Sequence, residues 1–122
     1  MREILFRGKS IYTGKWAVSV CPHGVMRSGH LCDDFIPDTV GQFTERKDKN
    51  GKKIFEGDVC RFYGTEGYSD YVVFWDDTVS QWTVRQIDLG AKDVLDSYFA
   101  ECCEVIGNIH DNPELLGGGE DG

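Results

Sequence analysis

The sequence predicts a mostly-β, antiparallel domain, and three features carry that expectation. The first is a hairpin signal at Asn50-Gly51, where both residues accept the positive φ of a tight turn. Val40 and Phe43 precede that turn and Ile54 and Phe55 follow it. The second is Tyr68 to Trp75, with Tyr71, Val73 and Trp75 on one face and Val72 and Phe74 on the other. The third is the scarcity of helical spacing. Only Ala91, Val94, Leu95, Tyr98, Phe99, Cys102 and Cys103 recur with it, which predicts one amphipathic helix from Lys92 to about Glu101.

Along the chain, Glu3 to Phe6 reads as a short strand stopped by Arg7-Gly8-Lys9, then a short segment at Ile11-Tyr12 and a turn at Thr13-Gly14. Trp16, Val18 and Val20 alternate with Ala17 and Ser19, which predicts a half-buried strand, and Pro22 bars its continuation as a central one. Residues 21 to 34 are irregular, either a loop or a hairpin of Val25-Met26 against His30-Leu31. Phe35-Ile36-Pro37 predicts an edge strand. Glu56-Gly57-Asp58 is a turn leading into Val59-Cys60-Arg61-Phe62, a common entry to a strand of a small SH3-like barrel.

After Tyr68 to Trp75, Asp76-Asp77 turns the chain and Gln81 to Ile87 returns it antiparallel. Glu104 to Ile109 reads as a last strand, and Pro113 opens a single helical turn. The expected architecture is one domain over residues 1–116. Residues 1–44 form an N-terminal β extension, 45–116 an SH3-like barrel with one short helix and a C-terminal helical turn, and 117–122 a flexible tail.

Several motifs occur in a fixed order. They are Phe6-Arg7-Gly8-Lys9, Thr39 to Thr44, Asp48-Lys49-Asn50-Gly51-Lys52, Ile54-Phe55-Glu56-Gly57-Asp58, Val105-Ile106-Gly107-Asn108-Ile109 and Asn112-Pro113-Glu114-Leu115-Leu116. The series resembles the YopX family of small phage and prophage proteins, over about Arg2 to Leu116. Two stretches depart from it: Glu45-Arg46, where the family more often carries a Gly-Leu-like pair, and the Cys/His segment around residues 21 to 32. The resemblance implies a β-rich fold encoded by a mobile element, with no assigned activity and no catalytic residues to carry over.

Composition bounds the function. The 122 residues are 40% hydrophobic and 28% charged, which suits one globular domain. No apolar run approaches the roughly 20 residues that span a bilayer, and Met-Arg-Glu-Ile begins no signal peptide. A soluble, cytoplasmic protein without membrane contact is expected, and the resemblance implies the cytoplasm of a host bacterial cell. The net charge of -8 disfavours generic nucleic-acid binding. Five cysteines, an odd number without secretory context, read as free thiols.

Five groups of residues could form a site, and each also has a purely structural reading. Cys21, His23, His30 and Cys32 offer zinc ligand types, but the Cys-x-His spacing places ligands on alternate sides of a strand, so no metal is expected. Arg46, Lys47, Lys49, Lys52 and Lys53 against Asp48 give residues 46–53 a net +4, leaving -12 for the rest. A solvated turn is the favoured reading of this tip, ahead of a protein contact and a nucleic-acid contact. Glu56 and Asp58, with Asp76-Asp77, are paired carboxylates at turns, where Asp bonds its own backbone. The aromatics Tyr63, Tyr68, Tyr71, Phe74, Trp75 and Trp82 read as core or subunit interface before base-stacking platform. Cys102-Cys103 lie where a helix C-terminus disfavours a thiolate, and His110 lacks an evident orienting partner.

The sequence therefore predicts a non-enzymatic phage or prophage binding protein without cofactor or metal. It is expected to self-associate through Tyr71, Val73 and Trp75, or to engage a host or phage protein. A nucleic-acid-associated factor using the tip 46–53 is the alternative.

Overall fold

The computed structural model describes residues 4–24 and 34–116. Its strands in chain order are β1 (Phe6–Lys9), β2 (Trp16–Ser19), β3 (Gly41–Lys47), β4 (Lys53–Phe55), β5 (Asp58–Gly64), β6 (Gly67–Asp76), β7 (Gln81–Gln86), β8 (Lys92–Val94) and β9 (Cys103–Asn108). One helix, α1 (Ser97–Cys102), precedes β9, and 3-10 turns occupy Pro37–Thr39 and Pro113–Leu116. The strands form two antiparallel sheets of order β2-β1-β3-β4 and β8-β7-β6-β5-β9. Between Glu45 and Arg46 the chain divides into two compact units.

In the first unit, β1 begins where Arg7-Gly8-Lys9 was expected to stop a strand. The reason is packing: a Cβ on Gly8 would lie 2.7 Å from Cγ of Phe35, so the ring fits only against a bare backbone. Gly8 pairs with Ala17 in β2, and Phe6 with Gln42 in β3. The strand expected around Trp16 is present, but its facing is reversed. Val18 and Val20 are 52% and 66% exposed, while Ser19 is buried. The Ser19 hydroxyl donates to the carbonyl of Gly24 at 2.8 Å and accepts the amide of Cys21, so the buried polar group is satisfied. Trp16 lies under the guanidinium of Arg7 and the ammonium of Lys9, 4.7 and 5.4 Å from its ring centroid.

Ile11 and Tyr12 belong to a turn closed by the Ser10 hydroxyl. Phe35 makes a single bridge to Ser10 in place of an edge strand, because Pro37 opens a 3-10 turn two residues on. The hairpin considered for Val25-Met26 and His30-Leu31 lies outside the described residues.

The second unit is built on the five-stranded sheet. Residues Tyr71, Val73 and Trp75 of β6 stand opposite Gln86, Val84 and Trp82 of β7. Val73 is 1% exposed within a core of Ile54, Cys60, Val84, Leu95, Phe99 and Cys103. Burying a side chain the size of Leu95 or Phe99 stabilises by about 2 kcal/mol. Val72, on the other face, is buried as well.

The helix expected over Lys92 to Glu101 is half strand. Lys92, Asp93 and Val94 pair with Arg85, Val84 and Thr83, and the amide of Leu95 donates to the carbonyl of Trp82. Asp96 then caps α1, its Oδ1 accepting the amide of Phe99 at 2.8 Å. Leu95, Phe99 and Cys103 keep a spacing of four because strand and helix both turn those residues into the same core. Among the described residues no closed barrel is found. The sheet ends at β8 and β9, each paired with one neighbouring strand.

Glu45 sits at φ 72°, a left-handed backbone that costs a side-chain-bearing residue roughly 1–2 kcal/mol. It is also one of the two positions where the sequence departs from the Gly-Leu-like pair. Glu45→Gly is expected to stabilise the chain by about 0.5–1 kcal/mol after the entropic cost of glycine, read as a raised urea midpoint at unchanged m-value. A lowered midpoint would show that the Glu45 side chain outweighs the backbone strain.

Candidate functional site

The basic tip Arg46 to Lys53 is a three-residue hairpin loop. The amide of Asp48 donates to the carbonyl of Lys52, that of Gly51 returns to the carbonyl of Asp48, and Gly51 alone takes positive φ, at 81°. This is a type I turn with a glycine bulge, so Asn50 does not need the left-handed conformation its type allows.

Asp48 is 6% exposed in the middle of that basic run. Its Oδ1 accepts the amides of Asn50 and Lys52, both at 2.9 Å, and its Oδ2 accepts the amide of Val105 in β9 at 2.9 Å. The amide of Lys49 donates to the carbonyl of Cys103 at 3.0 Å. The two links to Cys103 and Val105 occupy the edge of β9 away from β5, so the tip guards an otherwise open sheet edge. The tip is thus docked, where a freely solvated turn was the favoured expectation. Lys47, Lys49 and Lys52 remain exposed around it.

Docking brings the tip against aromatics that the sequence scatters. The ammonium of Lys49 lies 4.1 Å from the ring of Tyr63, whose hydroxyl donates to Oε1 of Glu104 at 2.8 Å. That carboxylate holds the Tyr63 phenol above its ordinary pKa. Tyr63 and Tyr68, cross-strand partners at the β5–β6 turn, meet edge to face at 6.4 Å. Arg61 grips Asp70 through Nε and Nη2, at 2.8 and 3.1 Å, with its guanidinium 3.9 Å from the Tyr68 ring. An open groove of about 410 Å³ runs beside this turn, bounded by Phe62 and Tyr68. Arg61 and Asp48 were not among the expected functional residues. In the sequence Asp48 stands out as one charge of the tip and as the first residue of the motif Asp48 to Lys52; its place two residues before Asn50, where an Asx side chain reaches forward amides, is the signal for its role.

The other candidates take structural places. Asp58 is 1% exposed and its Oδ2 accepts the amide of Phe55 at 2.8 Å, closing the turn that Glu56-Gly57 makes. Asp76 binds the hydroxyl and amide of Thr78, which lower its pKa. Among the described residues no group of three His, Cys, Asp or Glu side chains is placed to hold a metal. Cys21 is buried and its sulfur accepts the amide of His23, while His30 and Cys32 lie outside the described residues.

Cys102 is partly buried and Cys103 fully so, in the core with Cys60. The neighbouring Cys103 thiol and burial together push the Cys60 thiol up, away from the thiolate a nucleophile needs. His110 stands in the turn after β9, its amide donating to Asn108.

Of the residues expected to form an oligomer interface, Val73 lies inside its own unit, Tyr71 is half-buried, and Trp75 is 40% exposed. The Trp75 and Trp82 rings meet edge to face at 5.2 Å. Among the described residues no helix is long and apolar enough to cross a membrane.

Asp48→Ala is expected to cost about 3 kcal/mol, because it orphans three amides around a buried site. Asp48→Asn should cost roughly half of that: its carbonyl oxygen can keep Asn50 and Lys52, but its NH2 would oppose the Val105 amide. Urea unfolding checks the order: equal losses in the two variants would show that the bonds to Asn50 and Lys52 carry no stability, and a neutral Asp48→Asn would show that the Val105 link carries none.

No curated protein sequence matches the chain. The family model described as YopX protein matches residues 7–117, nearly the whole chain, so the protein belongs to the YopX family.

Proposed function

We propose that this YopX protein is a non-enzymatic binding protein of a phage or prophage, acting in the bacterial cytoplasm and associating with copies of itself. The observation that carries the reading is Trp75. It presents a large apolar ring to solvent at the end of β6, held in place by Trp82, with Val79 exposed in the adjoining turn. Rigid, surface-accessible tryptophan is the residue type most enriched among energetic anchors of protein interfaces. Tyr71 contributes at the margin of that face; Val73 supports it from inside.

Sedimentation velocity over a concentration series tests this reading. The wild-type chain is expected to sediment as a dimer or larger species, and Trp75→Glu as a monomer with an unchanged far-UV circular dichroism spectrum. A wild-type chain that stays monomeric at every concentration would overturn self-association.

A second reading is favoured by the way Lys49 sits on Tyr63. The basic tip, Tyr63, Tyr68 and Arg61 form a connected surface of cations and rings, the combination that binds single-stranded nucleic acid. The chain's net charge of -8 opposes it. If this surface binds an oligonucleotide, affinity falls steeply with salt and the combined Lys49→Glu, Lys52→Glu and Lys53→Glu variant loses it. Equal fluorescence-polarisation curves for the variant and the wild type would exclude that reading.

A further inference from the structure

Beside α1 lies a cavity of about 110 Å³ lined by the aromatic residues Phe62, Tyr71, Tyr98 and Phe99, by Val94 and by two aspartates. Phe62 and Phe99 stack at 5.0 Å and 28°, and Tyr71 meets Phe99 edge-on at 5.1 Å and 88°. Tyr98, 68% exposed, stands 6.2 Å from Phe62. Asp93 and Asp96 complete the lining. Each spends Oδ1 on a backbone amide, Asp93 on Val94 and Asp96 on Phe99, both at 2.8 Å, and among the described residues neither Oδ2 has a hydrogen-bond partner. Lys92, next to Asp93 in sequence, directs its ammonium to Asp76 at 3.9 Å.

We propose that this cavity binds the guanidinium group of an arginine side chain carried by a partner polypeptide. Ring faces attract a cation, and two carboxylates at the mouth supply opposite charge and acceptors. The planar fork of a guanidinium stacks on a ring while bonding a carboxylate; an ammonium is compact and strongly hydrated, and gains less from aromatic walls. The chain shows the completed arrangement elsewhere, where Arg61 bonds Asp70 in bidentate fashion over the Tyr68 ring. The volume suits one side-chain end, well below the roughly 300–1,000 Å³ that hold a drug-sized ligand. Free arginine is a poorer occupant, because its α-carboxylate would face Asp93 and Asp96. This site shares Tyr71 with the face proposed for self-association but not its anchor Trp75, and variants at Asp93 and Tyr98 leave Trp75 in place, so the two readings fail separately.

The test is a titration of the 15N-labelled full chain with N-acetyl-arginine N-methylamide at low salt, followed by amide chemical shifts. Saturable shifts are expected at Phe62, Val94, Tyr98 and Phe99. The neutral citrulline analogue should bind at least about tenfold more weakly, and the lysine analogue and free arginine should also be weaker. Asp93→Asn and Tyr98→Ala, both at exposed positions, should each weaken binding by about threefold to tenfold, and Tyr98→Phe should retain it. The citrulline analogue binding as tightly as the arginine one would overturn the proposal, as would unsaturable shifts spread over the acidic surface. Free arginine binding as tightly as the capped compound would overturn the polypeptide ligand in favour of a small-molecule site.

Discussion

Asp48 sets the terms for the second unit. A sheet that does not close leaves β9 with one edge lacking a strand partner, and an open edge is a template for pairing with other chains. The basic hairpin covers that edge, and what holds it there is a carboxyl group serving three amides from two different segments. One carboxylate therefore shapes the turn through Oδ1 and attaches it to the sheet through Oδ2. A lysine-rich loop would by itself remain in solvent; five basic residues around one buried acid can dock because the acid bonds inward while the cations stay outside. The arrangement also explains why Lys49 reaches the Tyr63 ring: its backbone is anchored on Cys103, and the ring stands nearby on β5.

The core on the helix face follows from a junction in the chain. β8 pairs with β7 for three residues, and Leu95 gives its amide to Trp82 before Asp96 starts α1. Leu95 is thus fixed by the sheet and Phe99 by the helix, and both descend on Val73 and Val84. Cys103 completes the same layer as β9 begins, beside Cys60. Two thiols in such a place act as small apolar residues. Their contact raises the pKa of the Cys60 thiol and lowers that of Cys103, and both side chains are fully buried in the packing of this layer.

Much of this was legible in the sequence, and the misreadings have definite causes. Strands β5, β6, β7 and β9 announced themselves because β-branched and aromatic runs there are bounded by Gly and Asp turns. The spacing from Lys92 to Glu101 predicts a single helix because periodicity alone cannot separate a helix from a strand followed by a helix. Asp96 was the discriminating residue, an N-cap placed three before Phe99. The alternation at β2 marks the strand but predicts the opposite face inward, since Val18 and Val20 look like core and Ser19 does not. What reversed it was a local hydrogen-bond pair to Gly24 and Cys21, which pattern counting does not register. The Gly8 stop signal failed for a related reason, because a ring distant in sequence needed the missing Cβ. Closure of a barrel was the least legible feature, being a property of strand order that no single strand encodes.

The second unit repeats one chemical motif on its surface. Arg61 joins Asp70 and Tyr68; Lys49 lies on Tyr63, which bonds Glu104; Lys92 reaches Asp76 from beside Phe74, 5.7 Å from that ring. Each combines a ring, a cation and a carboxylate, and in each the cation comes from this chain. An acidic protein has reason to arrange its surface so, since every cation placed over a ring also offsets a nearby negative charge. The cavity beside α1 has the rings and the carboxylates in the same relation, with Asp93 and Asp96 bonded only to their own segment's backbone. Lys92, next to Asp93 in sequence, is engaged with Asp76. Electrostatic logic that is satisfied internally three times is left there to be satisfied from outside, which makes a positively charged side chain the complementary ligand for that face.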